Sequence, residues 1–326
     1  MKPKIFVTRK IYTEVLLELK KNCEVEIWDQ EDVPVPRHIL EEKIPHIDGL
    51  YCLLTENIDK KLLDEAKNLK IISNMAVGYN NIDISAATEK GILVTNTPGV
   101  LTETTADLTF ALLMATARRI IEADRYLKEG HWKTWSPNLL TGQEIHGSNL
   151  GIIGLGEIGI AVAKRAKGFN MNILYYNRNR KHEVESSLGI HYADLNSLLK
   201  QSDFVCVLTP YTPETKNLID KEQLRMMKKS AILINTARGG IVNENALYDA
   251  LTSEVIWGAG LDVFEEEPVS LKNSLLALPN VVVLPHIGSA SLNTRMEMAR
   301  MAACNILQAL NGEVPQNLIN KELACT

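Results

Sequence analysis

Arg238, a run of three acids at Glu265-Glu266-Glu267, and His286 each stand just past a short apolar stretch in the second half of the chain. Ile234-Asn235 leads into Thr236-Ala237-Arg238-Gly239-Gly240, Leu261-Asp262-Val263 into Phe264-Glu265-Glu266-Glu267-Pro268, and Val283-Leu284 into Pro285-His286-Ile287-Gly288. A protonated imidazole can give its proton to a carbonyl oxygen, and a neighbouring carboxylate favours the protonated ring and fixes its orientation. A guanidinium can clamp a substrate carboxylate through two parallel hydrogen bonds and polarise an adjacent carbonyl. Singly, these residues read as a surface cation, a solvated acidic loop and a hydrogen-bonded structural histidine. Jointly, beside a hydride donor, they suit reduction of a carbonyl.

A parallel sheet would bring them together, because all its strands deliver their carboxyl ends to one edge, where ligands bind. The stretch that marks this edge is Asn149-Leu150-Gly151-Ile152-Ile153-Gly154-Leu155-Gly156-Glu157-Ile158-Gly159. It reads as a buried strand, a glycine turn and the start of a helix that continues through Ile160–Ala166. Gly154 permits the tight turn, Gly156 leaves room for a pyrophosphate, and Gly159 lets the helix pack closely on the strand. The phosphates would meet the free N–H groups of the helix N-terminus, around Glu157 and Ile158. Glu157, an acid so near a pyrophosphate, should temper affinity. The next strand, Asn172–Tyr176, arrives at the distance a βαβ unit requires and ends in Asn177-Arg178-Asn179-Arg180-Lys181. An NAD site usually carries an acid there for the ribose 2′-OH, whereas guanidinium groups suit a 2′-phosphate. The expected cofactor is therefore NADP(H), with NAD(H) as the alternative. A later strand, Asp203–Leu208, ends in Thr209-Pro210-Tyr211-Thr212-Pro213, a prolyl loop placed to wall an adenine.

The 326 residues, 45% of them hydrophobic, suffice for two globular domains. A net charge of -5 gives no support to nucleic-acid binding, and no apolar run reaches membrane-spanning length. The N-terminus enters a strand at Ile5 without the apolar stretch of a signal peptide. Cys23, Cys52, Cys206, Cys304 and Cys325 are odd in number and unpaired in spacing, and Cys52 and Cys206 lie inside apolar strands as buried thiols. A cytoplasmic protein is expected.

Residues 1–98 alternate strand and helix signals, with helices over Tyr12–Asn22 and Lys60–Ala66 and strands at residues 5–7, 25–28, 48–54, 69–75 and 91–96. The turn Met75–Asp83 follows a strand, and its exposed amides could hold a small carboxylate. Leu101–Lys128 is the longest helical pattern, apolar almost all round, with Thr102 as N-cap. Trp132 and Trp135 in the loop behind it suggest an interface, a dimer contact or packing within the chain. A final helix spans Leu292–Leu310.

With these residues in hand, the chain resembles the D-isomer-specific 2-hydroxyacid dehydrogenases, close to the glyoxylate/hydroxypyruvate reductases. The resemblance runs from about Ile71 to Asn317 through Ala76-Val77-Gly78, Thr105-Ala106-Asp107, Gly154–Gly159, Thr236-Ala237-Arg238-Gly239, Gly260-Leu261-Asp262-Val263, Glu267-Pro268 and Pro285-His286-Ile287-Gly288. It implies two Rossmann-like, doubly wound parallel-sheet α/β domains, a cofactor domain (99–288) inserted into a discontinuous substrate domain (1–98 and 289–326). It implies Arg238, Glu267 and His286 as the catalytic trio, Glu267 being chosen among three acids because it precedes Pro268. Val77 and Gly78, with Arg238 and His286, would bind the substrate. Thr105 and Asp262 would touch the nicotinamide, Thr236, Ala237 and Gly288 would belong to the cofactor site, and Asn177-Arg178-Asn179 looks like the NADPH-using reductases of the family. A homodimer through residues 101–135 is implied as well. The expected reaction is NADPH-dependent reduction of small 2-keto acids: glyoxylate, hydroxypyruvate or 2-ketogluconate. Its alternatives are an NAD-dependent phosphoglycerate or D-lactate dehydrogenase type and, from another class, a cofactor-sensing corepressor-like binding protein.

Overall fold

Five short apolar segments of the first hundred residues, β1 (Lys4–Val7), β2 (Glu24–Ile27), β3 (Gly49–Cys52), β4 (Ile71–Asn74) and β5 (Leu93–Thr95), pair in parallel in the order β2-β1-β3-β4-β5. The computed structural model describes residues 2–325. The strands are shorter than the apolar runs that predict them. β3 stops at Cys52 because the buried Glu56 carboxylate takes the Leu53 amide at 2.7 Å, drawing the chain out of the ladder. Helices cover both faces of this sheet, so β3 and β4 are buried throughout, as parallel strands require. The last helix, Leu292–Leu310, packs on the same sheet. There the Tyr51 hydroxyl donates to the Ala299 carbonyl at 3.2 Å and the Ser73 hydroxyl to that of Ala302 at 2.9 Å. The first unit thus comprises Met1–Leu101 and Ala290–Thr326, and the second is Thr102–Ser289.

The second unit holds β6 (Asn149–Ile153), β7 (Asn172–Tyr176), β8 (His191–Tyr192), β9 (Phe204–Val207), β10 (Ile232–Asn235), β11 (Gly258–Leu261) and β12 (Val281–Val283). All pair in parallel, in the order β12-β11-β10-β9-β6-β7-β8. The chain winds outward in both directions from β6 and β9, which are neighbours. That is the switch point at which a doubly wound sheet opens a crevice for a ligand. Phe204–Val207 and Ile232–Asn235 are wholly buried, with helices on either side. Cys52 and Cys206 are both fully buried, as expected.

One long helix over Leu101–Lys128 does not form. Thr102–Ala117 and Ile120–Lys128 are separate helices, and Thr102 belongs to the first of them rather than capping it. The break has a local cause. The Gln143 amide takes the Ala117 carbonyl at 2.9 Å, and Gly142 lies so close to that carbonyl that a methyl there would collide with it. With Ala117 engaged from outside, Arg119 turns into the left-handed region (φ 52°) and a new helix starts. The first helix sits directly on β11. A methyl on Gly260 would come within 2.8 Å of Leu112 and 2.9 Å of the Thr116 hydroxyl.

Candidate active site

The glycine turn follows β6 at the switch point. Gly154 has φ +99°, and a methyl there would lie 2.6 Å from the Thr209 amide nitrogen and 2.7 Å from the Leu208 carbonyl carbon. Only glycine allows this turn to pass beside the end of β9. Gly159, one turn into the helix Glu157–Lys167, abuts the Gly154 carbonyl, so a side chain would push the helix off the turn. Gly156 differs. It caps the helix without a side-chain hydrogen bond, and the space where its methyl would stand is open. An uncapped helix N-terminus next to open space fits a pyrophosphate. Ile158, half-buried, packs its side chain against the core. The exposed Glu157 carboxylate accepts from the Thr102 hydroxyl at 3.1 Å. Thr209 and Pro210 follow β9, with the Pro210 carbonyl held by the Thr215 hydroxyl at 2.8 Å.

Past β7, Asn177 folds its amide onto the Asn179 carbonyl at 2.9 Å, and Arg178 is exposed with no hydrogen bond among the described residues. Nearby, Glu214 has its carboxyl below the usual range, mainly through the Thr212 hydroxyl and in smaller part through the Arg178 charge.

The three strand-end loops of the right half of the sheet interlock. Asn235, at the end of β10, spans the first loop with its side chain, accepting from the Ala237 amide at 3.1 Å and donating to the Arg238 carbonyl at 3.0 Å. Gly239 presses against the Phe264–Glu265 backbone so tightly that any side chain would collide with it. Arg238 donates to the Ala237 carbonyl at 2.7 Å, and burial lowers its pKa while the Glu267 charge opposes that.

His286 stands in the left-handed region (φ 54°), uncommon for a residue with a side chain. Asp262 enforces it. Its carbonyl accepts the His286 amide at 2.9 Å, and its two carboxylate oxygens accept the amides of Ile287 and Gly288 at 2.8 Å each. Held this way, the His286 ring meets Glu267 at 2.6 Å between Nδ1 and Oε2. Glu267 is fixed in turn by the Phe264 amide at 3.0 Å. Burial pushes the Glu267 carboxyl up, but the His286 hydrogen bond and charge, the Phe264 amide and Arg238 outweigh it, so it lies below its ordinary value. Asp262 lies above its own, because burial dominates its two amide bonds. Glu265 makes a reciprocal contact with the backbone and side chain of Glu244, away from His286.

Four of the residues expected at the cofactor site, Thr105, Thr236, Asp262 and Gly288, also lie together. A methyl on Gly288 would stand 3.3 Å from both Asp262 Oδ2 and Thr105 Cγ2. Thr236 reaches the same neighbourhood through Thr109, with 2.6 Å between the hydroxyls. Thr109 has one hydroxyl hydrogen, and it points to the Thr105 carbonyl at 2.8 Å. Thr236 is therefore the donor of the pair and keeps its lone pairs for a ligand. Thr109 and Asn235 were not singled out in the sequence. A threonine four residues after Thr105 on one helix face is the signal that points to the first.

In the first unit, the turn after β4 has its carbonyls tied down, that of Val77 by the Asn96 side chain at 2.8 Å and that of Gly78 by Asn74 at 2.9 Å. The amides of Val77 and Gly78 have no protein acceptor among the described residues. These residues make no group of His, Cys, Asp and Glu that could hold a metal, and no helix among them is long and apolar enough to cross a membrane.

Residues 110–288 match the D-isomer specific 2-hydroxyacid dehydrogenase NAD-binding domain. The chain is 50% identical to a glyoxylate reductase of Korarchaeum cryptofilum and 51% identical to one of Pyrococcus horikoshii, each over 99% of this chain and 97% of the relative. Among solved structures, a Thermus thermophilus protein superposes with a TM-score of 0.90 at 43% identity, covering 97% of this chain and 99% of the other. The NADPH-dependent glyoxylate/hydroxypyruvate reductase of Sinorhizobium meliloti, solved with NADP and malonate, gives 0.87 at 32% identity and covers 98% of each chain. This chain belongs to the D-isomer-specific 2-hydroxyacid dehydrogenase family and is an oxidoreductase of CH–OH groups that works with a nicotinamide cofactor.

Proposed function

We propose that the protein reduces glyoxylate and related small 2-keto acids, hydroxypyruvate among them, to D-2-hydroxy acids with NADPH as the preferred reductant. The observation that carries this reading is the 2.6 Å contact between His286 Nδ1 and Glu267 Oε2, in a loop next to the one that holds Arg238. The names of the 50% identical relatives support glyoxylate.

Bound, the cofactor supplies the hydride. The turn Gly154–Gly159 and its helix N-terminus hold the pyrophosphate, Thr209 and Pro210 flank the adenosine side, and Thr105, Thr236, Ala237, Asp262 and Gly288 receive the nicotinamide end. Glu267 accepts the Nδ1–H hydrogen bond of the protonated His286 ring, which keeps that proton, while Nε2 hands its own to the substrate oxygen and the ring is left neutral. Arg238 clamps the substrate carboxylate. In the first unit, the amides of Val77 and Gly78, whose carbonyls are already engaged, suit a substrate carboxylate as well. Asn177, Arg178 and Asn179 take the 2′-phosphate, since no carboxylate stands at the end of β7 to favour a ribose hydroxyl.

The protein works as a homodimer through residues 101–135. The helix Ile120–Lys128 has no buried residue, and Trp135 is 77% exposed. That much unburied apolar surface in one segment favours a second copy as its cover. Buried, unpaired Cys23, Cys52 and Cys206 suit a reducing, cytoplasmic setting. The test is cofactor oxidation with NADPH and NADH across glyoxylate, hydroxypyruvate, pyruvate and 2-ketogluconate. Glyoxylate with NADPH should give the highest kcat/KM, and faster turnover with NADH would overturn the cofactor assignment.

A further inference from the structure

Arg178 and Arg180 look equivalent in the sequence, two guanidinium groups in one loop, yet their surroundings differ. Arg180 gives Nε and Nη2 to the two carboxylate oxygens of Glu185, at 2.7 Å each. Its guanidinium also lies over the Tyr192 ring, 5.6 Å from the centroid. Glu185 accepts a further hydrogen bond from the Tyr175 hydroxyl at 2.6 Å, and that hydroxyl accepts the Lys181 amide at 2.8 Å. Tyr175 is fully buried in β7, so the arrangement is anchored to the sheet. The Arg180 and Tyr175 hydrogen bonds hold the Glu185 carboxyl down to about 2, and it stays anionic at any working pH. The forked edge of a guanidinium that grips a carboxylate is the same edge that would grip a phosphate. One partner excludes the other.

We propose that Glu185 sets the cofactor selectivity of this enzyme by withholding Arg180 from the 2′-phosphate, leaving Arg178 as the guanidinium that reaches it. This rests on the NADP(H) reading and deepens it, since it names a residue that limits the preference from outside the site. Arg180 is held as a strut between the helix His182–Leu188 and β8, while Arg178 on the same loop stays exposed. Replacing Glu185 by Gln keeps an acceptor for Tyr175 but removes the charge that grips Arg180. The released guanidinium then adds a second contact to the phosphate.

The experiment is calorimetric titration with 2′,5′-ADP and with 5′-AMP, at low and high salt, for the parent protein, E185Q, R178Q and the double variant R180Q/E185Q. Steady-state kcat/KM with NADPH and NADH runs beside it, and thermal melts confirm folding. E185Q should raise the affinity ratio for 2′,5′-ADP over 5′-AMP roughly threefold to fivefold, the size of one exposed charge-assisted contact. The gain should fade at high salt. It should vanish in R180Q/E185Q, and R178Q should lower the ratio. A folded E185Q with an unchanged or lower ratio, a double variant that keeps the gain, or an R178Q that leaves the ratio alone would overturn the proposal. A parent protein that does not discriminate between the two nucleotides would sink the NADP(H) reading instead. In that case the change in ratio caused by E185Q still reports on Glu185.

Discussion

Asp262 holds His286 without touching its ring. The Asp262 carbonyl takes the His286 amide, and its two carboxylate oxygens take the next two amides, so one acid fixes the left-handed turn from which the imidazole reaches Glu267. Asn at this position has one acceptor oxygen, so an amide N–H would face a donor. D262N should fold, yet lose about tenfold to a hundredfold in kcat, the scale of one hydrogen bond to a charged group. Pre-steady-state kinetics would check this, and an unchanged chemical step would remove Asp262 from the account.

The His286–Glu267 pair carries a pH signature. The Glu267 carboxyl lies below its ordinary 4.5 in the folded protein. For an acid shifted down, the ionic form and the stability it brings are complete above the ordinary value and fade as pH falls through the lowered one. The kcat/KM profile should therefore show no loss from Glu267 until the pH is below 4.5. E267Q should lower kcat/KM by roughly a hundredfold, in the range of general acid–base contributions. An acid limb at ordinary carboxylate pH that disappears in E267Q would contradict the placement.

Gly154 and Gly156 belong to one motif and should fail differently. G154A puts a methyl into backbone at 2.6–2.7 Å and a side chain at φ +99°, so a loss of about 2–5 kcal/mol in denaturant unfolding is expected. G156A meets open space and should unfold like the parent while binding NADPH more weakly. Equal losses of stability in both variants would contradict the separation of their roles.

Such differences mark where the sequence stops being legible. The glycine turn, the strand ends and their shared edge follow from local pattern, because a parallel sheet converts apolar runs into a common direction. The contact from Asp262 to Ile287 and Gly288 spans 25 and 26 residues and leaves no local trace. The helix break at Arg119 is likewise imposed from Gly142 and Gln143, and Thr109 matters only because Thr236 arrives beside it from β10. Arg178 and Arg180 are indistinguishable as letters and distinct once Glu185 is in place.

The exposed apolar residues of 120–135 predict an assembly. The protein should sediment as a dimer, and a W135E/L127E variant should shift toward monomer while its thermal midpoint changes little, because both side chains are already exposed in the single chain. Analytical ultracentrifugation would check this. A monomeric parent protein would contradict it.

The central claim is that His286 delivers the proton that accompanies hydride transfer to a 2-keto acid. The most direct measurement is single-turnover NADPH oxidation with saturating glyoxylate in the parent protein and in H286A, alongside NADPH binding by fluorescence titration. H286A should turn over about a hundredfold to ten-thousandfold more slowly with nearly unchanged NADPH affinity. A variant that turns over glyoxylate at the parent rate would contradict it.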